Sequence, residues 1–296
     1  MAQKWSFSVI VAYGLTIFLW ASAFPSIRVG LESYTPEHLA LFRLLIASVV
    51  LVLIAIITHM RLPELKDIPV ILLLGFLGFS VYHTALNVGE KTVSAGVASL
   101  LVSTTSIFSS LLAVWFLRER FRLSKWIGSI ISFLGVALFS LGTGRNFEYT
   151  TGILFILLAS FSESLYFVFQ TRYLKKYGFH AFTTYTIWGG TLFMLFFLPG
   201  LTSEMTKSTI ESTLSIVYLG MFSTVIPYLA LAYTTSRVGA LEATSSLYLT
   251  PALAFVLSWV WVAEVPKLHS IVGGVITLSG VMLFHFKKDK KQGKAL

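Results

Sequence analysis

The chain has 296 residues, of which 56% are hydrophobic and only 12% are charged, and its formal net charge is +9. A soluble domain carries roughly 25% charged residues, so this composition excludes an ordinary soluble globular protein. The sequence contains no cysteine, which excludes disulfides, thiolate metal sites and thiol nucleophiles.

Ten apolar stretches, each about long enough to cross a bilayer, follow one another along the chain. The first could instead be a signal peptide, but it is longer than such a segment and no small-residue cleavage site follows it. The connections are mostly short. We therefore predict an all-α integral membrane protein with ten transmembrane helices. The predicted spans 1 to 10 cover residues 7–30, 37–58, 68–87, 93–116, 124–142, 152–173, 180–199, 212–234, 239–262 and 268–286.

The basic residues are distributed unevenly between the two sides of the predicted bundle. With the N-terminus in the cytoplasm, 16 of the 22 Lys and Arg residues fall on the cytoplasmic side. This positive-inside pattern predicts a multi-pass protein of the cytoplasmic (inner) membrane with both termini cytoplasmic. The basic tail from about residue 287 would lie near anionic headgroups, although a specific partner for it is an alternative. The orientation of the protein in the membrane thus explains its positive net charge, and nucleic acid binding is not needed to account for it.

The second half of the chain repeats the first. Residues 71–139 align without a gap on residues 216–284, at a constant shift of 145. The matched positions include Gly75 and Gly220, Thr105 and Thr250, and Glu119 and Glu264. We predict two copies, residues 1–145 and 146–296, of five spans each. Because five is odd, the second copy enters the membrane inverted, as in many secondary transporters, whose binding site lies between the halves. Duplication retained only for packing is the alternative.

Polar residues recur on single faces of spans 3 and 4. Span 4 carries Ser99, Ser103, Ser106 and Ser110, and span 3 carries Ser80, His83, Asn87 and Glu90. These spacings of three and four place each set on one helix face. The faces either pack tightly against other helices or line a polar cavity. Glu90 lies near the outer end of its span, so we expect it to reach water.

Glu163 lies near the centre of span 6, with Ser160, Phe167 and Gln170 on the same face. A carboxylate at this depth costs about 2.5–3.5 kcal/mol on insertion scales. We expect it to be protonated, paired across helices or facing a wet cavity. These states suit proton coupling or recognition of an amine, and a structural hydrogen bond is the alternative. Arg43, about two turns into span 2, is placed with the scaffold, although it could also be the counter-charge for a substrate carboxylate.

The candidate residues form four groups. The substrate-binding candidates, which combine aromatic and polar side chains, are Trp20, Phe24, His83, Asn87, Ser103, Ser106, Glu163, Tyr166, Gln170, Tyr228 and Tyr248. Glu163 and His83 are also the candidates for proton coupling. The candidate hinges are Pro25, Pro227 and Pro251, because proline frees a carbonyl and permits bending. The scaffold candidates, which would support helix packing or a dimer contact, are Arg43, Glu119, Glu264, Gly128, Gly135, Gly273 and Gly280.

Familiar catalytic and nucleotide-binding motifs are absent from the sequence, which has no Walker loop, HExxH, GxSxG or EF-hand spacing. We expect no enzyme activity, no metal and no cofactor. The expected partners are a small-molecule substrate, the lipid bilayer and, where transport is coupled, protons. We expect a monomer or a weak homodimer.

Several segments resemble the drug/metabolite transporter superfamily, and specifically its ten-helix members with two EamA domains. They are residues 19–25 (LWASAFP), 41–45 (LFRLL), 98–101 (ASLL) and 116–120 (FLRER). The end of this pattern recurs in the second copy near Glu264. The resemblance implies a central cavity built by spans 1, 3, 4, 6, 8 and 9. It also implies transport, mostly export of amino acids, related metabolites or toxic compounds. Two positions depart from the family pattern: Ser106, where proline is frequent, and Glu163, where tryptophan or a small residue is common.

Together these features predict a secondary transporter that works by alternating access and exports small metabolites, such as amino acids, or amphipathic toxic compounds. One alternative is a carrier of nucleotide-sugar, sugar or lipid-linked substrates, which would need more basic groups in the cavity than Arg43. The other is a membrane-embedded enzyme, which would need a denser catalytic cluster.

Overall fold

A computed structural model describes residues 6–117, 147–238, 249–265 and 268–285, together with positions 127–128, 130–131, 134–135, 138 and 243. These residues form helices joined by short turns, and none of them lies in a β-strand. The α-helices in chain order are α1 (Phe7–Gly30), α2 (Pro36–Ile57), α3 (Ile68–Gly75), α4 (Tyr82–Glu90), α5 (Ala95–Val102), α6 (Thr105–Leu117), α7 (Phe147–Met194), α8 (Leu201–Lys207), α9 (Ile210–Tyr218), α10 (Ile226–Val238), α11 (Leu249–Val262) and α12 (Leu268–His285).

Six helical segments of the described part are long and apolar enough to cross a membrane. They are Phe7–Gly30, Pro36–Ile57, Leu65–Glu90, Ala95–Leu112, Thr150–Phe197 and Ile210–Arg237, and two shorter apolar helices cover Leu249–Val262 and Ile271–Gly280. The all-helical membrane fold is therefore confirmed. The number of ten spans stays a prediction, because span 5 lies almost entirely outside the described residues.

The longest helix, α7, covers two predicted spans. At 1.5 Å per residue its 48 residues would extend about 70 Å, more than twice the thickness of the hydrocarbon core. Gly178 interrupts it with a φ of 79°, a left-handed conformation that glycine adopts without steric penalty. This break falls in the connection that the sequence predicts between spans 6 and 7.

Helix starts are marked by side-chain caps. The hydroxyl of Ser6 accepts a hydrogen bond from the backbone N–H of Val9 at the start of α1. Thr35 caps α2 in the same way, with Pro36 in the first turn, and Thr209 caps α9. These bonds satisfy N–H groups that have no partner within the helix, so they fix where the spans begin.

Three of the predicted spans are internally broken, which the sequence analysis did not anticipate. π-helical segments, Phe76–Val81 and Leu219–Val225, join α3 to α4 and α9 to α10. Shifted by 145 residues, the first falls almost on the second, so the two copies share this irregularity. In span 4, α5 ends at Val102 and α6 begins at Thr105. π-helical segments occur mostly at functional sites.

The bundle has an apolar surface and a partly polar interior. α7 packs against α2, α3, α4, α6 and α10, while α1 packs against α10 and α11. Large apolar side chains such as Ile57 and Phe196 point outward. Serine, threonine and a few ionisable side chains are buried instead. This arrangement suits a lipid solvent, in which exposed polar groups would be costly.

Polar contacts join the two copies at both ends of the bundle. At one end, Arg28 Nε lies 3.0 Å from Glu264 Oε1, and Glu264 Oε2 accepts a hydrogen bond from the N–H of Ala95 at 2.8 Å. At the other end, Lys176 pairs with Asp67 and lies 2.9 Å from Glu64. Lys66 and Lys176 hold the pKa of the Glu64 carboxyl below its usual value.

The glycine faces predicted as scaffold are placed as follows. Gly128, Gly135, Gly273 and Gly280 are buried. A Cβ on Gly135 would collide with Thr277 and would lie 2.8 Å from the carbonyl oxygen of Gly273. The described parts of spans 5 and 10 therefore approach each other closely at this point.

Candidate functional site

A cavity lies between the helices of the two copies. Its unoccupied space is about 700 Å³ when the open solvent at its mouth is included. Its described lining comes from α1, α2, α4, α5, α6, α7, α10 and α11 and from the turn between α5 and α6. The lining residues are Trp20, Ala23, Phe24, Ile27, Arg43, Tyr82, Leu86, Ser99, Val102, Ser103, Thr105, Ser106, Glu163, Phe167, Tyr228, Thr250 and Pro251.

Glu163 is the acidic residue of this lining and is 3% exposed. The Tyr228 hydroxyl donates a hydrogen bond to Oε1 at 3.0 Å, and the Thr105 hydroxyl lies 3.5 Å from Oε2. Two hydroxyl donors leave further acceptor capacity on the carboxylate. Of the three states expected from the sequence, the structure thus supports a carboxyl group that faces a cavity and bonds across helices.

Arg43 is the basic residue of the same lining and is 2% exposed. Its Nε donates to the Thr224 hydroxyl at 2.6 Å, and one terminal nitrogen donates to the Ser223 carbonyl at 3.3 Å. Both partners lie in the π-helical segment that precedes α10. The sequence analysis placed Arg43 with the scaffold and kept a substrate role as the alternative. The structure places it both in a packing contact and on the cavity wall.

Aromatic rings form much of the remaining wall. The Trp20 ring meets the Tyr228 ring edge-on with centroids 5.2 Å apart, and it lies 6.4 Å from the Phe167 ring. Phe24 and Tyr82 complete this surface. Aromatic rings and hydroxyl groups therefore share the wall around the one acid and the one base of the described lining.

Four of the predicted binding residues are not among the lining residues. His83 and Asn87 are fully buried beside the cavity, and Gln170 is 3% exposed. Tyr166 packs against Gly78, and its hydroxyl lies 3.4 Å from that of Thr186. The helix spacing predicted which face of span 3 is buried, but the cavity lies against an adjacent face. Tyr248 and Glu119 lie outside the described residues, as does the basic tail.

The expectation for Glu90 is wrong. It was expected to reach water at the end of span 3, and instead the side chain has no exposed surface. Neighbouring segments cover this end of α4, since Arg28 donates to the Glu90 carbonyl and Glu264 lies at the same end. The position of a residue near the end of a span does not indicate whether other helices cover that end, so the sequence could not show that Glu90 is buried.

Sequence reasoning missed several lining residues, among them Tyr82, Leu86, Thr105 and Thr250. The repeat held a usable signal for two of them. Thr105 and Thr250 occupy equivalent positions in the two copies, and both line the cavity. An inverted repeat brings equivalent positions together near its pseudo-axis, so matched polar positions are candidates for a central site.

The three predicted hinge prolines lie beside lining residues. Pro25 is buried within α1 next to Phe24, Pro227 precedes Tyr228 in α10, and Pro251 itself lines the cavity near the start of α11. Their role in bending stays a prediction.

This all-helical membrane fold with a central cavity is that of a membrane transporter, and sequence comparison identifies the family. The EamA-like transporter family matches the chain twice, over residues 7–141 and 150–286. The chain therefore belongs to the EamA-like transporter family. As its sequence predicts, it is a transporter and not an enzyme.

Two relatives match over almost their full length. An uncharacterized transporter of Bacillus subtilis, YdfC, is 62% identical over 289 residues, covering 97% of this chain and 94% of that protein. A probable terminal-alkyne amino-acid exporter of Streptantibioticus cattleyicolor is 38% identical over 271 residues, covering 92% and 91%. A solved structure with 17% identity matches 93% of this chain and 96% of its own with a TM-score of 0.63, which shows the fold alone.

Proposed function

We propose that this transporter exports amino acids with apolar side chains across the cytoplasmic membrane, in exchange for protons, by alternating access. One observation carries the proposal: Glu163 and Arg43 face the same cavity, whose other walls are aromatic, aliphatic or hydroxyl-bearing. An amino acid presents the same combination of groups, namely an amine, a carboxylate and a side chain.

The two charged residues would bind the two ends of the amino acid backbone. The Glu163 carboxylate accepts hydrogen bonds from the ammonium group, and the Arg43 guanidinium donates to the carboxylate. Charge-assisted bonds of this kind are roughly twice as strong as neutral ones. The substrate side chain would contact Trp20, Phe24 and Phe167.

Glu163 also offers a simple means of coupling. A carboxylate binds either an ammonium group or a proton, so protonation of Glu163 weakens substrate binding. Proton entry on one side would then favour substrate release there. This competition supports exchange of one proton for one amino acid.

The relatives support the direction and the substrate class. The 38% identical protein is named a probable terminal-alkyne amino-acid exporter, and that substrate combines an amino acid backbone with an apolar end. The alternative of a nucleotide-sugar carrier fits less well, because Arg43 is the only base in the described cavity lining and a diphosphate would favour several.

The test is transport by purified protein in liposomes. Glu163→Gln keeps the size of the side chain and removes its charge, and Glu211→Gln is the control, because Glu211 is an exposed carboxylate on α9. We expect Glu163→Gln to remain folded, to lose the pH dependence of transport and to bind amino acids about tenfold or more weakly, since a hydrogen bond to a charged group contributes about 1.5–3 kcal/mol. The control should behave as wild type.

A thermal-shift screen with amino acids, nucleotide sugars and cationic drugs supplies the substrate class, because a ligand that binds only the folded state raises the melting temperature. If Glu163→Gln transports normally at every pH, the acid is structural. If nucleotide sugars stabilise the protein and amino acids do not, the proposed substrate class is wrong.

A further inference from the structure

A stripe of buried polar side chains without visible partners runs along α4. His83, Asn87 and Glu90 each have no exposed surface. Both ring nitrogens of His83, the Asn87 side-chain oxygen and both Glu90 carboxylate oxygens have no hydrogen-bond partner among the described residues. Asn87 does donate, from its amide nitrogen to the carbonyl of Pro36 at 3.0 Å.

The stripe is separate from the substrate cavity. The cavity is lined by Tyr82 and Leu86 of the same helix. At 100° per residue, these two lie on a face adjacent to the one that carries His83, Asn87 and Glu90. The stripe therefore runs beside the cavity wall.

Stability does not explain this arrangement. A buried polar group without a partner costs about 1–3 kcal/mol, and each of the three stripe side chains carries at least one such atom. Apolar residues there would pack at no such cost. Buried waters that make two to four hydrogen bonds each are the usual partners of groups of this kind. The geometry thus favours a hydrated track.

The stripe joins Glu163 to one end of the bundle. Side chains three and four apart on a helix have Cβ atoms about 5–6 Å apart, a gap that one water bridges. The His83 ring lies 6.4 Å from the Tyr228 ring, and the Tyr228 hydroxyl bonds Glu163 at 3.0 Å. His83 and Tyr228 are equivalent positions of the two copies at the shift of 145. Glu90 is at the other end, where Arg28 donates to its carbonyl.

The charged and titratable groups around the stripe come from several elements. Glu90 interacts electrostatically with Arg28 of α1, Arg43 of α2 and Glu264 after α11. Arg43 acts on His83, whose ring also contacts Tyr82 and Tyr228. On α7 the nearby groups are Glu163 and Tyr166, and α5 has no titratable residue. Glu90 therefore lies between two basic side chains and one acidic side chain from other elements.

We propose that Glu90, Asn87 and His83 line a water-filled proton path that reaches Glu163 without passing through the substrate cavity. The inference rests on the proposed role of Glu163 as proton acceptor. When the contact between Arg28 and Glu264 that covers this end of α4 opens, a hydronium ion protonates the Glu90 carboxylate, which passes the proton to water beside Asn87. One His83 ring nitrogen accepts it while the other releases a proton to water near Tyr228, and Glu163 takes that proton. The net transfer is one proton: each step breaks one O–H or N–H bond and forms another, and His83 is left as its other tautomer.

The consequence is that a proton reaches Glu163 even when an inert plug fills the cavity. The chain has no cysteine, so a single Ser106→Cys change allows the cavity to be plugged with a bulky maleimide. Time-resolved infrared spectroscopy after a pH jump then follows the carboxyl band that Glu163→Gln removes. This readout needs no substrate.

In the plugged protein we expect the Glu163 band to respond at a rate within about twofold of the unplugged rate. His83→Phe or Asn87→Leu should slow this response by about tenfold or more, since a positioned proton-transfer group contributes about 10²–10⁴-fold. Glu90→Gln should slow it likewise, while Glu211→Gln should not. Size-exclusion profiles of each variant verify folding, and the three stripe variants test the same path independently.

The path is wrong if the plug alone slows the Glu163 response by about tenfold, as the stripe variants are expected to do, because the proton then enters through the cavity. It is also wrong if the folded stripe variants leave the plugged rate unchanged, or if the Glu163 band does not follow pH. Amino acid counterflow by the unplugged wild-type protein separates the two proposals. If this protein shows no counterflow but a normal infrared response, the substrate assignment is wrong and the path stays in place.

Discussion

Arg43 is the residue whose position changes the interpretation most. Its side chain is almost fully buried, and two groups of one π-helical segment fix the guanidinium. A charge held this way needs no reorganisation when a carboxylate arrives. The planar arginine fork also matches the two oxygens of a carboxylate, a geometry that the ammonium group of a lysine does not have.

The first prediction concerns this fork. Arg43→Lys should weaken binding of amino acids by about tenfold or more, because a lost hydrogen bond between charged groups is worth about 1.5–3 kcal/mol. Decarboxylated amines, which have no group for Arg43, should bind with unchanged affinity. Calorimetry on both ligand types measures this, and an equal loss for both would show that the change disturbs the cavity and not carboxylate recognition.

At this scale the sequence identified some residues and could not identify others. Glu163 could be found because a carboxylate in the middle of an apolar span is costly and needs a reason. Arg43 could not be assigned, because a long side chain two turns from the end of a span either reaches the interface or turns inward. Tyr82 and Leu86 give no signal, since they resemble any buried residue.

Among the helical elements, the broken spans matter most. The second π-helical segment, Leu219–Val225, supplies both partners of Arg43 and precedes the turn of Tyr228. The first directly precedes Tyr82. Hydropathy predicted where these spans lie but not that they are interrupted. A π-helical segment changes the hydrogen-bond register without changing composition, so no sequence pattern announces it.

The second prediction concerns the packing of the first broken span on α7. A Cβ on Gly75 would collide with the Thr186 carbonyl and lie 2.8 Å from the Gly190 nitrogen, both of them backbone atoms. We expect Gly75→Ala to destabilise the fold by about 1–3 kcal/mol, the usual cost of overpacking. Thermal unfolding in detergent measures the loss.

Gly189→Ala is the matched control, since its Cβ would meet its nearest neighbours at 3.4–3.5 Å, an ordinary contact distance. It should leave the melting temperature unchanged or raise it slightly. Equal destabilisation by both changes would contradict the close approach of α3 and α7.

At the scale of the whole molecule, contacts between the copies hold both ends of the bundle. Alternating access requires that one set separates while the other stays closed. The Lys176 contacts to Glu64 and Asp67 are partly exposed, so solvent screening leaves them only a small contribution to stability. Contacts of this kind suit a gate, because they break at low cost.

The third prediction is that Lys176→Met shifts this gate toward opening while the melting temperature stays nearly unchanged. Because Lys66 and Lys176 lower the pKa of Glu64, its contact is intact at neutral pH and is lost as the pH falls through that lowered value. Acidification should therefore open the wild-type gate, and Lys176→Met should be open at either pH. Cysteine labelling of a cavity position from the Lys176 side measures both effects, and equal labelling of the two proteins at neutral pH would exclude a gate here.

The overall architecture was largely predictable because the bilayer sets the length of each span and because a duplication can be recognised by aligning the sequence with itself. Within the described residues, the predicted spans coincide with helices to within a few residues, and the family match covers both copies. The inverted arrangement of the two copies and the cytoplasmic position of the termini stay predictions. The closure over Glu90 could not be predicted, since it depends on how Arg28 and Glu264 meet across the bundle.

The most direct test places one cysteine in the cavity of this cysteine-free chain. Ser103 lines the same cavity as Glu163, and Ser103→Cys introduces the label site there. In oriented membrane vesicles it should react with a membrane-impermeant thiol reagent from either side, and an apolar amino acid should protect it from both. Reaction from one side alone, or labelling that no amino acid slows, would contradict a central site with alternating access.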